Sequence, residues 1–233
     1  MAYACYKEEK KLFVFASVNA NPLKIDRMTE LGAEVILIGN DFDAAKDEAR
    51  HFAVKNKLRF VEDGLDIETL SGAATIGLEL VNEFKQLDAV FVPLGNGALL
   101  NGVARVVKEK IPTTNIVAVQ ASGAPAMIES WKTNTRVQHP SIHTIADGIG
   151  VRIPIAQALE DMKGWVDEGF LVSEKSIIEA MQVLYHQTGL VVEPSGAVGV
   201  ASLLENKDKF KNKTVATILC GGNMTETQMR EWL

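Results

Sequence analysis

The sequence predicts an α/β protein with mainly parallel strands, and three observations support this prediction. Apolar runs alternate with helical patterns in a β-α-β-α-β order over roughly the first 60 residues, which implies parallel strands with right-handed crossovers. A second alternating region follows Asp63–Ser71, the best candidate for a linker. Two buried runs end in glycine turns, at Gly95 and Gly221, and ligands of open α/β sheets bind outside the carboxyl ends of the strands. We therefore expect a small βαβ subdomain at residues 1–62 and a larger ligand-binding domain at residues 63–233.

The predicted small subdomain begins with a helical pattern at residues 2–10 that has no capping residue before it. The pattern then predicts a strand at 12–16, a helix at 23–31 that Pro22 opens and Gly32 closes, a strand at 34–38, a helix from 41 to about 55, and a strand at 58–61. Because the first methionine already lies inside a helical pattern, we expect the chain to begin in the middle of a fold.

The predicted larger domain opens with a long apolar helix at about residues 72–84. Its further predicted elements are a strand from 89, a helix through 103 and 104 to 107, a strand at 116–119, an irregular stretch at 121–154, a helix at about 155–163, a strand at 169–172, a helix that starts at 173–176 and runs to 186, an alanine-rich helix after 193–197 and a strand at 214–219.

The central feature is the stretch Ala89–Gly102, which is typical of a buried strand, a glycine turn and the first turn of a helix. Gly95 and Gly97 permit a close approach of the backbone to a ligand, and the N–H groups at the start of a helix favour an anion, most often a phosphate. A simple βα turn without a ligand is the alternative. No Gly-Lys-Ser/Thr follows, so the loop is not a P-loop. Leu100 in place of a third glycine, and Gln120 at the end of the next strand, argue against a dinucleotide site.

The composition is that of an ordinary globular protein, with 47% hydrophobic and 23% charged residues. A net charge of −6 without a basic cluster argues against nucleic acid as a partner. Two cysteines, Cys5 and Cys220, argue against a disulfide framework and favour a reducing compartment. No apolar run approaches the length of a membrane span and no signal peptide is visible, so we expect a cytoplasmic protein without membrane contact.

Five stretches together carry a resemblance to a known family. They are Leu31–Val35, Gly72–Ile76, Val92–Leu99, Ile145–Gly148, and Glu193–Ala197 with Cys220–Asn223. In their order and spacing, over essentially all 233 residues, the sequence resembles the fold-type II pyridoxal-phosphate (PLP) enzymes of the tryptophan synthase beta-like superfamily. Within them it is most similar to the threonine/serine dehydratase and serine racemase group. The resemblance implies two three-layer α/β/α subdomains with mainly parallel, twisted sheets.

The resemblance also implies the cofactor, pyridoxal 5′-phosphate, and the residues that bind it. These are Gly95, Asn96, Gly97, Ala98 and Leu99, whose backbone would hold the phosphate, and Cys220, which would lie near the pyridine nitrogen. The family usually has four glycines in this loop, and Asn96 and Ala98 replace two of them. Asparagine tolerates a positive φ better than most residues, so we expect a working loop. A thiol does not protonate the ring nitrogen as a carboxylate would, which favours elimination over chemistry that needs a long-lived carbanion.

Three features of the family are missing. The Schiff-base lysine of its Phe-Lys-x-Arg stretch is absent, so no catalytic residue is assigned, and Lys24 is a helix-surface lysine by its pattern. The Ser-Ser-Gly-Asn-His loop is absent as well. At the positions that bind a divalent cation in some members, this chain has Gln120 and Ala126, which predicts no metal site. We therefore expect the N-terminal part of the fold to be missing, with about three quarters of a dehydratase present.

The function that the resemblance implies is PLP-dependent threonine/serine ammonia-lyase (dehydratase) activity, which yields a 2-oxo acid and ammonia by β-elimination. The 233-residue chain alone is predicted to be inactive, because no lysine is available to bind the cofactor covalently. The alternatives are a non-catalytic fragment or PLP-binding interaction module, a serine racemase, and a hydroxyectoine-pathway dehydratase. An amino acid is the expected substrate and a homo-oligomer, a dimer, the expected assembly.

Overall fold

A computed structural model describes residues 1–233 and divides the chain into two compact units, Met1–Val61 and Glu62–Leu233. They contain ten α-helices and six β-strands. None of these helices combines the length and the apolar character that crossing a bilayer requires.

Unit 1 is built on two parallel strands. Its elements are α1 (Ala2–Lys7), β1 (Phe13–Ala16), α2 (Pro22–Glu30), β2 (Glu34–Leu37) and α3 (Phe42–Asn56). The register of the two strands places Phe13 opposite Glu34 and Ala16 opposite Leu37. The prediction of a third strand at residues 58–61 is wrong, because this segment pairs with no neighbouring strand and runs on from the left-handed cap of α3 at Lys57.

The helix boundaries of unit 1 follow their capping residues. The Asn21 side chain accepts a hydrogen bond from the Leu23 N–H, and Pro22 occupies the first helical position. Asp41 accepts from the Ala44 N–H at 2.8 Å. The first helix has no side-chain cap, as the sequence predicts, and it ends at Lys7 rather than at residue 10.

Burial is slight in unit 1. Its only buried apolar residues are Ala33, Ala45 and Ala53, and no larger apolar side chain there is fully buried. Val54, Tyr3 and Tyr6 are among the most exposed large apolar residues of the chain. Side-chain burial therefore contributes little to the stability of this unit.

Unit 2 contains the remaining elements. They are α4 (Ile67–Glu83), β3 (Ala89–Pro93), α5 (Ala98–Lys110), β4 (Asn115–Ala121), α6 (Ala126–Thr133), a 3₁₀ turn (Asp147–Ile149), α7 (Ala156–Met162), β5 (Glu168–Val172), α8 (Glu174–Thr188), α9 (Pro194–Glu205), β6 (Val215–Thr217) and α10 (Glu226–Trp232). The linker proposed at residues 63–71 is helical from Ile67 onward. The last strand pairs over three residues instead of the six expected.

The sheet of unit 2 has the order β5-β4-β3-β6, and all of its strands are parallel. Strand β3 is buried along its whole length. On one face, Val90 and Val92 pack in a core with Val103 of α5, and on the other face Phe91 packs with Ala197 of α9. Helices thus cover both faces of a parallel sheet, and the predicted α/β fold is confirmed.

Helices α4 and α5 cross at glycines. A Cβ atom at Gly102 would lie 2.5 Å from the Leu70 carbonyl oxygen and 2.8 Å from the Ala74 nitrogen. A Cβ at Gly77 would lie 3.1 Å from the Val103 carbonyl oxygen. Only glycine allows the two backbones to approach this closely. This close packing fixes the position of α5, which begins directly after the turn that follows β3.

Asp88 connects the starts of three strands. Its N–H donates to the Thr214 carbonyl at 2.8 Å, and its carbonyl accepts from the Asn115 N–H at 3.0 Å. Its carboxylate accepts from the Thr214 N–H at 2.8 Å and lies 3.1 Å from Lys213 Nζ. The hydrogen bond from Thr214, with that from Lys213, lowers the pKa of Asp88 below its ordinary value of 3.8.

This lowered pKa predicts a pH effect on stability. A carboxyl whose pKa is depressed on folding contributes stability that is complete above its ordinary pKa and is lost as the pH falls through the lowered value. Asp88→Asn is therefore expected to lower the free energy of unfolding at about pH 6 and to reduce its decrease between about pH 5 and pH 2. Urea denaturation across that range tests this. Asp208→Asn, at an exposed loop position, is the control and should follow the wild type; equal pH slopes for Asp88→Asn and wild type would contradict the assignment.

Candidate functional site

Two glycine turns follow neighbouring strands of unit 2 at the same edge of the sheet. Strand β3 runs into residues 94–97, and β6 runs into residues 218–222. The two strands are parallel neighbours with Phe91 opposite Thr217, and the Ile218 N–H donates to the Phe91 carbonyl at 3.3 Å. The turns at Gly95 and Gly221 therefore leave the carboxyl edge of the sheet side by side.

The first turn presents a row of backbone donors. The Asn101 N–H is the first in α5 with an acceptor in its own helix, the Gly97 carbonyl at 2.9 Å. The N–H groups of residues 95–100 donate no hydrogen bond within the chain, and no side chain caps the helix. Six consecutive N–H groups at a helix N-terminus form a favourable site for an anion.

The backbone conformation of this turn depends on one glycine. Gly97 has a φ of +106°, and it is the only residue between Gly95 and Leu99 with a positive φ. A Cβ at Gly97 would lie 3.0 Å from the Ala158 Cβ. Asn96 and Ala98 therefore stand at positions that do not require glycine, and the tolerance of asparagine for a positive φ is not what permits Asn96 at its position.

The six residues predicted to bind the cofactor differ in exposure. Asn96, Gly97 and Ala98 are buried, Gly95 and Leu99 are partly buried, and Cys220 is exposed. Asn96 Oδ1 is buried without a hydrogen-bond partner. The backbone carbonyl oxygen of Asn96 would overlap a Cβ at Gly64. The turn before α4 therefore packs directly on the backbone of residues 95–97.

The second turn lies against the start of α9. The Glu193 N–H donates to the Gly221 carbonyl at 2.9 Å. A Cβ at Gly221 would overlap Glu193 Oε1, so the carboxylate packs on the backbone of the turn. Cys220 Sγ is 4.0 Å from the Ser195 carbonyl oxygen. Glu193 and Ser195 are both buried at this turn.

A third segment, residues 143–149, completes the edge. A Cβ at Gly95 would lie 3.4 Å from the Gly148 carbonyl oxygen and 3.4 Å from the Ile149 Cα. The segment is held by the Ile145 N–H, which donates to Glu174 Oε2 at 2.9 Å. No pattern in the sequence connects Glu174 with residue 145, since the two are 29 positions apart.

Gln120 and Ala126, the two positions at which the sequence predicts no cation site, follow one another along the chain at the end of β4 and the start of α6. Gln120 is the penultimate residue of β4, and its Oε1 accepts a hydrogen bond from the Ile128 N–H in the first turn of α6 at 3.1 Å. Ala126 is the first residue of that helix. The structure contains no group of three or more His, Cys, Asp or Glu side chains arranged to hold a metal ion.

The donor set of the site fits a phosphate monoester that carries an aromatic ring. The N–H row at residues 95–100 provides hydrogen-bond donors and the positive end of the α5 dipole for the phosphate. The Glu193 carboxylate, which would repel a phosphate, lies on the other turn beside Gly221. Cys220 belongs to the same turn, and its thiol is a weak hydrogen-bond donor that would suit a neutral ring nitrogen.

The comparisons with known proteins agree with this geometry. The family model described as "Pyridoxal-phosphate dependent enzyme" matches residues 1–221. L-threonine ammonia-lyase of Thermotoga maritima is 38% identical over 201 residues, which cover 86% of this chain and 50% of the relative. The biosynthetic L-threonine dehydratase of Halalkalibacterium halodurans is 31% identical over 235 residues, or 99% of this chain and 57% of the relative.

A solved structure shows the same fold. The processed form of threonine deaminase isoform 2 from Solanum lycopersicum matches with a TM-score of 0.90 and 29% identity, covering 99% of this chain and 68% of that chain. This chain spans only about half to three fifths of the length of the two curated relatives. Both the sequence comparisons and the fold comparison point to the same family. The chain belongs to the pyridoxal-phosphate dependent enzyme family.

Proposed function

We propose that the two units serve a threonine/serine ammonia-lyase of this family, and that residues 95–99 and Cys220 bind the cofactor. The row of six unpaired N–H groups at the start of α5 carries this proposal. The names of the relatives, a threonine ammonia-lyase and a threonine dehydratase, support the choice of reaction. Serine racemase and hydroxyectoine-pathway dehydratase remain the alternatives within the family.

In this proposal the residues of the chain bind the cofactor and orient its ring. The backbone of residues 95–100 binds the phosphate through charge-assisted hydrogen bonds. Cys220 would lie near the ring nitrogen, and Gly221 permits the close approach of Glu193. When bound, pyridoxal phosphate supplies the electron sink that loss of the substrate hydroxyl group requires.

We further propose that the 233-residue polypeptide alone does not catalyse the elimination. It contains two Phe-Lys pairs, Phe84-Lys85 and Phe210-Lys211, and neither continues as Phe-Lys-x-Arg. The first precedes β3 and the second precedes β6, so both lie toward the amino ends of the strands. The candidate site is at the carboxyl ends. Neither Lys85 nor Lys211 is therefore placed to supply the amine that would bind the cofactor covalently.

The assay is a titration of the purified polypeptide with pyridoxal phosphate, followed by ³¹P NMR, with and without inorganic phosphate as competitor. We expect saturable, phosphate-competed binding, no single lysine adduct after borohydride reduction, and no ammonia from threonine or serine above a buffer blank. Absence of saturable binding would overturn the cofactor site. Sustained ammonia release, or one stoichiometric lysine adduct, would overturn the proposed inactivity.

We also propose that the polypeptide forms a homodimer in solution. The exposure of large apolar side chains, such as Leu190, Ile67 and Leu219 in unit 2, supports association.

A further inference from the structure

Asn101 is a buried polar residue at the end of the first turn of α5. It is 0% exposed, and its N–H donates to the Gly97 carbonyl at 2.9 Å. Side chains of a helix lean toward its N-terminus, so a residue lies over the position four places before it. Accordingly, Asn101 Nδ2 is 3.2 Å from the position of a Cβ at Gly97. The amide group therefore lies directly against the turn that carries the row of backbone donors.

The same amide connects this turn to α7. Asn101 Nδ2 donates to the Ala158 carbonyl at 3.0 Å, across 57 positions of the chain. The Ala158 Cβ is 3.0 Å from the position of a Cβ at Gly97, and Met127 Cε of α6 is 3.7 Å from it. Asn101, Ala158 and Met127 are each fully buried. Side chains of three helices thus pack against this one glycine of the loop.

Asn101 adds little to the stability of α5. A flipped amide would place Oδ1 against the Ala158 carbonyl oxygen, so the Nδ2 donor must face that carbonyl and Oδ1 must face away from it. Oδ1 is buried there without a hydrogen-bond partner. The cost of a buried, unpaired acceptor is similar to the gain from one hydrogen bond. Because asparagine is also a weaker helix former than alanine or leucine, stability alone does not account for this residue.

We propose that Asn101 is a positioning residue for phosphate binding, and that its amide fixes the Gly97 turn so that the N–H groups of residues 95–100 keep the directions they have in the structure. The inference rests on the cofactor site proposed above, and it gives Asn101 no contact with the ligand. Donors that are oriented before an anion arrives bind it more tightly, because binding then carries no cost of ordering them. The hydrogen bond to Ala158 provides this orientation by holding α7 against the turn.

The test is the ³¹P NMR titration of Asn101→Ala with pyridoxal phosphate and, separately, with inorganic phosphate. Loss of the amide frees the turn, and we expect both dissociation constants to rise about fivefold. Thr114→Val is the matched control. Thr114 is also fully buried, and its Oγ1 donates to the Leu87 carbonyl at 2.9 Å, but it lies directly before β4, at the amino end of the sheet. This variant loses a comparable hydrogen bond and should bind both ligands like the wild type.

Two further variants separate positioning from a general loss of stability. Asn101→Leu keeps most of the side-chain volume and favours the helix, so it folds even if alanine leaves too large a cavity, and it should lose the same affinity. In the double variant Gly97→Ala/Asn101→Ala, both changes act on the same turn. We expect its dissociation constant to lie within about twofold of that of Gly97→Ala alone, well below the product of the two single effects.

Unchanged dissociation constants in both Asn101 variants, with only the Tm lowered as in Thr114→Val, would overturn the inference. So would a double variant whose effect equals the product of the single effects, because Asn101 would then not act through Gly97. A loss of affinity in Thr114→Val as large as that in Asn101→Ala would reduce both to a general effect of stability. A wild type that does not bind pyridoxal phosphate would instead contradict the cofactor site itself, and the inference would fall with it.

Discussion

Gly102→Ala is expected to lower the free energy of unfolding of unit 2 by about 3 kcal/mol, a large effect for one added methyl group. The new Cβ would lie 2.5 Å from the Leu70 carbonyl oxygen, 2.8 Å from the Ala74 nitrogen and 3.0 Å from the Ala73 Cβ. Two of these three atoms are backbone, so no rotamer change relieves the contact. Helices α4 and α5 must then separate, and the loop that precedes α5 moves with them.

A matched control lies in α4. Gly72 is exposed within the helix, and a Cβ there would meet no atom within 4 Å. Gly72→Ala should therefore raise stability by about 0.5–1 kcal/mol, since alanine is the better helix former. Thermal denaturation should show a fall in Tm of roughly 6–12 °C for Gly102→Ala and a small rise for Gly72→Ala. A Gly102→Ala protein as stable as the wild type would show that the crossing of the two helices is not tight.

Gly97→Ala is expected to weaken the binding of pyridoxal phosphate about tenfold or more while leaving the protein folded. A φ of +106° is strained for alanine, and the added Cβ would lie 3.0 Å from the Ala158 Cβ. Relief of that strain rotates the peptide between Gly97 and Ala98. The Ala98 N–H then points in a different direction, which reduces the charge-assisted bonds to a phosphate.

The measurement for Gly97→Ala is the ³¹P NMR titration with pyridoxal phosphate. Asn96→Gly is the informative partner variant, because Asn96 does not have a positive φ and a glycine there needs no change of backbone. We expect Asn96→Gly to bind within a few-fold of the wild type. Unchanged affinity in Gly97→Ala would show that the phosphate does not bind at the start of α5, whereas a large loss in Asn96→Gly would point to its side chain instead of the backbone.

Much of the fold of unit 2 was accessible from the sequence, because its signals are local. The run Ala89–Pro93 is apolar throughout, as a strand covered on both faces must be, and the glycine turn follows it directly. The start of α8 after its N-cap Ser173, and of α9 at Pro194, follows from ordinary capping preferences. Parallel strands then place both glycine turns at one edge.

The details that the sequence did not predict depend on partners distant along the chain. Leu58–Val61 has a strand-like composition, but a strand needs a neighbour, and none pairs with it. The anchor between Glu174 and Ile145 spans 29 positions, and the contact between Asp88 and Lys213 spans 125. The tolerance of the loop for Asn96 was expected for the wrong reason, since the φ value of each residue became known only with the structure.

The three buried alanines of unit 1 bear on how denaturation curves of this chain are interpreted. The steepness of a urea transition scales with the surface that unfolding exposes, and most of the deeply buried apolar surface belongs to residues 62–233. A single transition fitted to the whole chain will therefore report mainly on that larger part. Unfolding of Met1–Val61 will contribute only a shallow slope to the baseline. A two-state fit to the whole chain will therefore give an m-value lower than the chain length predicts.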